Sequence, residues 1–116
     1  MIKVQHTLGD DRSPSGVHYL PNLRCPNPKC QQPLTGAGST EYGNPVKPSA
    51  GDLTICVYCE TISKYATGPQ GWRLLKLSTK ELKRMDPENK EEFDKLRPIL
   101  AQVWGPIGSR SPPPQH

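Results

Sequence analysis

Large apolar side chains are scarce in this sequence. Leucine, isoleucine, valine and phenylalanine together supply 22 of the 116 residues, whereas there are fourteen prolines and ten glycines. So small an apolar inventory struggles to offset the conformational entropy lost on folding. Small domains of this kind are normally closed by disulfides, a metal ion or a partner chain. The sequence therefore predicts one compact domain that depends on a cross-link.

Long apolar runs are also absent. No segment approaches the roughly 20 residues of a membrane-spanning helix, and residues 1–11 contain no apolar stretch resembling a secretion signal. We therefore expect a cytoplasmic protein with no membrane partner. In that reducing compartment, paired cysteines are metal ligands more often than disulfides.

The sequence lacks a strong charge and a catalytic motif. Its formal net charge of +4 is well below that of a dedicated nucleic-acid-binding domain. No nucleophile–base pairing, phosphate-binding glycine loop or carboxylate pair is evident. We therefore expect neither an enzyme nor a small-molecule substrate.

The four cysteines form two closely spaced pairs. Four residues separate Cys25 from Cys30, two separate Cys56 from Cys59, and 25 residues lie between the pairs. Four thiolates arranged in this way hold one Zn²⁺ tetrahedrally. No histidine lies at ligand spacing from them, and a catalytic zinc would need an open position and a general base. We therefore predict one structural Zn²⁺; a rubredoxin-type iron site and disulfides are the alternatives.

With these cysteines the chain resembles the zinc-ribbon family, in which two cysteine turns lie on β-hairpins. More narrowly, residues 48–59 and 75–82 are similar to small, uncharacterised zinc-ribbon proteins of bacteria and their phages. The resemblance covers about residues 22–85. It implies a phage or bacterial accessory protein that docks on a larger protein machine, inside a bacterial or infected host cell.

The chain departs from the zinc-ribbon pattern at two places. The first pair has four intervening residues where the family usually has two, which predicts a wider turn between Cys25 and Cys30. Glu60 stands where the family usually places a glycine after the second cysteine. A residue with a Cβ atom must therefore adopt that backbone conformation.

The segments after the first cysteine pair predict three strands. Residues 53–57 alternate apolar and polar, residues 61–66 are rich in β-branched and aromatic side chains, and residues 72–77 follow a glycine-rich turn. Tyr65 and Trp72 flank that turn and are expected to form a cross-strand aromatic pair.

Capping signals place two helices after these strands. Ser78 and Glu81 have the spacing of a capping box, which predicts a short helix over residues 79–85. Asp86-Pro87 predicts the start of a second helix, and Gly105-Pro106 predicts its end. Pro98 predicts a kink or a break within it.

These features predict a small metal-stabilised α+β fold: a zinc ribbon of about three antiparallel strands followed by two C-terminal helices. The expected order is a flexible N-terminal arm (1–16), the ribbon (17–77), a helical extension (78–105) and a disordered proline-rich tail (106–116). Residues 31–52 are expected to form a loop clamped by the two cysteine pairs.

Two further groups of residues are candidate binding surfaces. Phe93, Leu96, Leu100, Val103 and Trp104 share one helix face. Packing onto the ribbon is the favoured interpretation, and the alternative is docking of a protein partner or a second copy through Phe93, Leu96, Leu100 and Trp104. The second group is basic: Lys64, Arg73, Lys76, Lys80, Lys83 and Arg84. A solvated surface is favoured for it, and nucleic-acid contact is the alternative.

These observations lead to two hypotheses about function. The leading hypothesis is a non-enzymatic zinc-ribbon module that binds a protein partner. The alternative is a zinc ribbon that binds nucleic acid or associates with transcription.

Overall fold

The computed structural model describes residues 2–7, 18–39, 49–69 and 71–110. These residues contain six β-strands and two α-helices. The elements are β1 (Lys3–His6), β2 (His18–Tyr19), β3 (Gly36–Ser39), β4 (Leu53–Cys56), β5 (Ile62–Gly68), β6 (Gly71–Lys76), α1 (Thr79–Lys83) and α2 (Pro87–Trp104). The predicted α+β class is confirmed, but there are more strands than the three that the sequence indicated.

All six strands form one mixed sheet in the order β2-β3-β1-β4-β5-β6. Neighbouring strands are antiparallel except β1 and β4, which run parallel with Val4 opposite Ile55. The β4–β5–β6 meander is the antiparallel unit predicted from the sequence. On it, the rings of Tyr65 and Trp72 meet edge to face with centroids 6.0 Å apart. The expected cross-strand aromatic pair is therefore confirmed.

Strand β1 corrects the expectation of a flexible arm over residues 1–16. Residues 3–6 form an internal strand between β3 and β4, and all four side chains are buried. The sequence did not indicate this because polar residues such as Lys3 and Gln5 are usually exposed. Residue 1 and residues 8–16 of the expected arm lie outside the described residues.

Gln5 shows how a polar side chain is accommodated at the centre of the sheet. Its Nε2 donates to the Leu34 carbonyl oxygen at 2.8 Å. Its Oε1 accepts from the Thr54 hydroxyl at 3.2 Å and from the Tyr65 hydroxyl. Because both ends of the amide are bonded, the side chain remains buried without an unsatisfied polar group.

Strand β3 lies within residues 31–52, which were predicted to be a loop. Gly36–Ser39 pairs with β1 on one side and β2 on the other. Glycine has a low strand preference, so the strand owes its place to hydrogen bonds with two neighbours, and Ala37 is buried between them. Residues 40–48 lie outside the described residues.

The two helices begin as the capping signals predicted. Ser78 and Glu81 form the reciprocal capping box, and α1 ends at Lys83, two residues earlier than expected. The Asp86 side chain accepts from the Glu88 amide at 2.9 Å to start α2. Among the described residues, no helix is long and apolar enough to cross a membrane.

Helix α2 buries one apolar face in the core. Phe93, Leu96, Leu100 and Trp104 are each at most 5% exposed and belong to the same cluster as the apolar side chains of the sheet. These four side chains therefore pack into the core, which was the favoured interpretation, and because they are buried they are not free to meet a partner. Val103 points away from this face and is 43% exposed.

The end of α2 also differs in part from expectation. The helix continues through Pro98, so no break occurs there, and Gly105 caps it with φ of +85°. Residues 106–110 were expected to begin a disordered tail, but they form a turn in which the Ser109 amide donates to the Pro106 carbonyl at 3.2 Å. Arg110 then returns to the core and is buried. Residues 111–116 lie outside the described residues.

Candidate metal centre

The four cysteine sulfur atoms lie within 4.8 Å of one another. Cys25 Sγ is 3.5 Å from Cys59 Sγ, and Cys30 Sγ is 3.9 Å from Cys56 Sγ. All four cysteines are free. Four metal–sulfur bonds of about 2.3 Å arranged tetrahedrally place the sulfur atoms about 3.8 Å apart. The cluster therefore fits one metal ion, and the two distant pairs meet as the sequence predicted.

The second cysteine turn (residues 56–60) joins β4 to β5. The Cys56 amide donates to the Thr61 carbonyl at 3.0 Å, and the Glu60 amide donates to the Cys56 carbonyl at 2.8 Å. Glu60 has φ of +62°, a left-handed conformation that disfavours residues with a Cβ atom. The conformation expected at this glycine position is therefore adopted by a glutamate.

The first cysteine turn (residues 25–31) is wider, as predicted. The Cys25 amide donates to the Gln32 carbonyl at 3.0 Å, which closes a loop of six residues instead of the four in the second turn. Its last part follows the same geometry, because the Gln31 amide donates four residues back to the Asn27 carbonyl at 3.1 Å. Gln31 has φ of +49°. Both turns therefore end in a left-handed residue directly after their second cysteine.

A hydrogen-bonded link joins the two cysteine turns beside the sulfur atoms. The Asn27 side chain donates to the Thr61 hydroxyl at 3.1 Å. The same hydroxyl oxygen lies 3.1 Å from Cys59 Sγ, so its proton can be donated to Cys59 when that residue is a thiolate. Such outer contacts orient the ligands of a metal. Asn27 and Thr61 carry no recognisable signal in the sequence, because a polar residue near a cysteine does not by itself indicate a role at a metal site.

Strand β1 and the residue after it, Thr7, hydrogen-bond to the second cysteine turn. The Val57 amide donates to the Gln5 carbonyl at 3.1 Å, and the Thr7 amide donates to the Tyr58 hydroxyl at 3.0 Å. Both Val57 and Tyr58 are buried. The two residues between the cysteines of this turn are therefore fixed by residues 5–7, which were expected to belong to a flexible arm outside the ribbon.

The thiols of the cluster influence one another's protonation. Hydrogen bonds with Cys25 and Cys59, together with burial, raise the pKa of the Cys56 thiol. The hydrogen bond with Cys56 lowers the pKa of Cys25, but the bond with Cys59 and burial outweigh it and bring the pKa to about 12. Hydrogen bonds from Cys25 and Cys56 lower the pKa of Cys59. A bound cation must therefore displace protons from the two buried thiols.

One side of the cluster faces a cavity of about 330 Å³. The half-buried Cys30 and Cys59 border it, together with Tyr58, Ile107 and Arg110. Among the described residues that line this cavity there is no histidine or carboxylate. The cavity offers space beside two of the four cysteines.

The six basic residues singled out in the sequence do not share one face. Cross-strand pairing places Lys64 opposite Leu75 and Arg73 opposite Ala66, whereas Lys76 lies opposite Ser63. Because side chains alternate along a strand, Lys76 points to the other face of the hairpin from Lys64 and Arg73. The basic group is therefore divided between two surfaces.

Part of this basic group does converge. Lys64, Lys80 and Arg84 line a cavity of about 470 Å³ beside α1, together with Glu81 and Asp86. Lys64 Nζ is 2.7 Å from Glu81 Oε2, which neutralises one of the three cations. Lys83 is exposed on α1 and does not line the cavity.

Comparisons of this chain with protein-family models, curated proteins and solved structures find no match. The site consists of four free cysteines, brought together by two turns of an α+β fold, at a spacing that can hold one metal ion.

Proposed function

We propose that the protein is a non-enzymatic zinc ribbon in which Cys25, Cys30, Cys56 and Cys59 bind one structural Zn²⁺. The observation that carries this proposal is the convergence of four sulfur atoms at tetrahedral spacing. Thiolate ligands favour zinc, copper(I) or iron over magnesium and calcium. A four-sulfur tetrahedral site with every position filled is typical of structural zinc.

A structural role follows from the elements that the ion would join. Cys25 and Cys30 lie on the hairpin that precedes β3, whereas Cys56 is the last residue of β4 and Cys59 lies in the turn between β4 and β5. The two turns contact each other through their sulfur atoms and through the Asn27–Thr61 hydrogen bond. A bound ion would add four strong bonds at this junction and so contribute directly to folding.

Native mass spectrometry of protein expressed without added metal tests this assignment. We expect one zinc ion per chain, lost after chelation and regained when zinc is added back. Chelation should also abolish most of the circular dichroism signal and lower the melting temperature. A chelated protein that keeps both would contradict the structural role, and a bound iron ion would identify a rubredoxin-type site instead.

We further propose that this zinc ribbon is a protein-interaction module, docking on a larger protein machine in a bacterial or phage-infected cell. The resemblance to small zinc-ribbon proteins motivates the role. The exposed side chains of Ile99 and Val103, one turn apart on the outer face of α2, and of Ile107 beyond it, support it. Isolated apolar side chains are common on surfaces, whereas groups of them are typical of interfaces.

Affinity capture from bacterial lysate, with the wild type beside I99K/V103K, tests the interaction role. Both positions are exposed, so the variant should fold, which circular dichroism at saturating zinc verifies. We expect a protein that is retained by the wild type and lost from the variant. Identical captured proteins would contradict docking through the outer face of α2.

The second candidate is a zinc ribbon that binds nucleic acid. It is favoured by one observation, the convergence of Lys64, Lys80 and Arg84 on one cavity. Fluorescence anisotropy with short single-stranded and double-stranded DNA, at low and moderate salt, separates the two roles. Binding with a steep salt dependence that K80E/R84E abolishes would support nucleic-acid contact. No binding at low salt would exclude it.

A further inference from the structure

Arg110 is a buried charged residue that lies far from the cysteines in sequence and beside them in the structure. It is 3% exposed, although it closes a turn of glycine, proline and serine. Its Nη1 donates to the Val57 carbonyl at 3.1 Å and to Glu60 Oε2 at 2.9 Å. Its Nε donates to the Gly105 carbonyl at the end of α2. One guanidinium therefore joins the second cysteine turn to the C-terminal end of the helix.

Both Val57 and Glu60 belong to the second cysteine turn. Both backbone polar groups of Val57 are bonded, because its amide donates to the Gln5 carbonyl and its carbonyl accepts from Arg110. Glu60 holds the left-handed conformation that closes the turn after Cys59, and its carboxylate is tied to the same guanidinium. Arg110 thus contacts the Val57 backbone and the Glu60 side chain, and these two residues belong to the turn that positions Cys56 and Cys59.

We propose that Arg110 is a positioning residue for the metal centre. It holds the second cysteine turn in its metal-binding conformation and thereby couples that turn to residues 105–110. This inference rests on the proposed metal-binding function. Because linkage is reciprocal, metal binding strengthens the docking of Arg110 by the same factor by which Arg110 strengthens metal binding.

Arg97 provides a matched control. Its Nε lies 3.4 Å from Glu60 Oε1, so it also pairs with that carboxylate. It is half-exposed, and its second ion pair is with Asp94 on the surface of α2. Replacing Arg97 therefore removes one cation from Glu60 and leaves the hydrogen bond from Arg110 to the Val57 carbonyl in place.

The decisive measurement is zinc affinity, determined by competition with a chromophoric chelator for the wild type, R110Q, R110K and R97Q. We expect R110Q to weaken zinc binding by about 10–100-fold, the range typical of residues that orient metal ligands. The ion pair between the half-exposed Arg97 and Glu60, which R97Q removes, is longer at 3.4 Å, and its loss should weaken zinc binding by less than about fivefold. R110K keeps the charge but offers one nitrogen, and it should fall between the wild type and R110Q.

A second measurement separates positioning from general stability. In zinc-saturated protein, R110Q should accelerate hydrogen exchange of the amides of residues 57–60 and 105–110, while the amides of β5 and β6 exchange as in the wild type. Equal acceleration throughout the sheet would overturn the proposal, as would R110Q binding zinc as tightly as R97Q. If R110Q does not fold with zinc, R110K is judged by the same two criteria. Failure of the wild type to bind zinc would instead overturn the proposed function.

Discussion

The residues in left-handed conformation in the two cysteine turns can be compared by replacing each with glycine, Gln31→Gly and Glu60→Gly. Each residue follows the second cysteine of its turn, with φ of +49° and +62° respectively. A residue with a Cβ atom pays about 1–2 kcal/mol in this region. Glycine avoids that cost but loses about 0.5–1 kcal/mol more backbone entropy on folding. The backbone alone therefore predicts a gain of about 0.5–1 kcal/mol at either position.

The side chains of the two residues make the outcomes differ. Gln31 is exposed, and its carbonyl still accepts from Arg24 Nη1 at 3.2 Å after the substitution. Glu60 pairs with Arg110 at 2.9 Å and with Arg97 at 3.4 Å. Losing a hydrogen bond to a charged group costs about 1.5–3 kcal/mol. We therefore expect Q31G to stabilise the protein by about 0.5 kcal/mol and E60G to destabilise it by about 1–2 kcal/mol.

Denaturant unfolding at saturating zinc measures both effects. Two variants that keep the Cβ atom serve as controls. Gln31→Ala, which removes only an exposed side chain, should lie within about 0.5 kcal/mol of the wild type. Glu60→Gln, which removes the charge, should be at least as destabilised as E60G. If Q31G and E60G shift the free energy of unfolding in the same direction, the ion pairs of Glu60 do not distinguish the two turns.

Three further predictions concern the metal and the core. Zinc affinity, measured by chelator competition, should fall as the pH is lowered from about 8 to about 6. The reason is that the pKa values of Cys25 and Cys56 are raised, and both thiols must lose a proton to bind the ion. An affinity that does not change over this pH range would contradict the assignment. Gln5→Leu should destabilise the fold by about 2–4 kcal/mol in denaturant unfolding, because the polar groups that the Gln5 amide bonds remain buried without it. A loss below about 1 kcal/mol would show that these groups find other partners. Leu100→Ala should lower the free energy of unfolding by about 2–5 kcal/mol. Ile99→Ala, on the exposed face of the same helix, should lower it much less. Equal losses for the two variants would refute the assigned orientation of α2.

Local patterns were sufficient for the parts of the fold that use nearby residues. The alternation of apolar residues located β4, and capping residues such as Ser78 and Asp86 located the helix starts within one residue. The cysteine spacing predicted the cluster, because four thiols in a sequence with so few apolar residues have few other uses. Helix periodicity also selected the buried face of α2, except that Val103, which it grouped with that face, is exposed.

The remainder depends on contacts between distant residues, which no local pattern records. Gln5 is buried only because Leu34, Thr54 and Tyr65 provide partners 29 to 60 residues away. Arg110 is buried because Glu60 lies 50 residues before it. In a single sequence such residues resemble surface residues, so the N-terminal arm and the C-terminal tail were both expected to lie outside the fold.

The position of β1 has a consequence for the order in which the chain folds. This strand is synthesised before both of its neighbours, yet Lys3 pairs with Ser39 on one side and with Thr54, 51 residues away, on the other. Until β1 inserts between them, β3 and β4 present unpaired edges to which a strand from another chain can add. Completing the sheet therefore requires β1 to pair with residues 30 to 51 positions further along the chain, and any copy in which it has not yet paired exposes two strand edges to other copies.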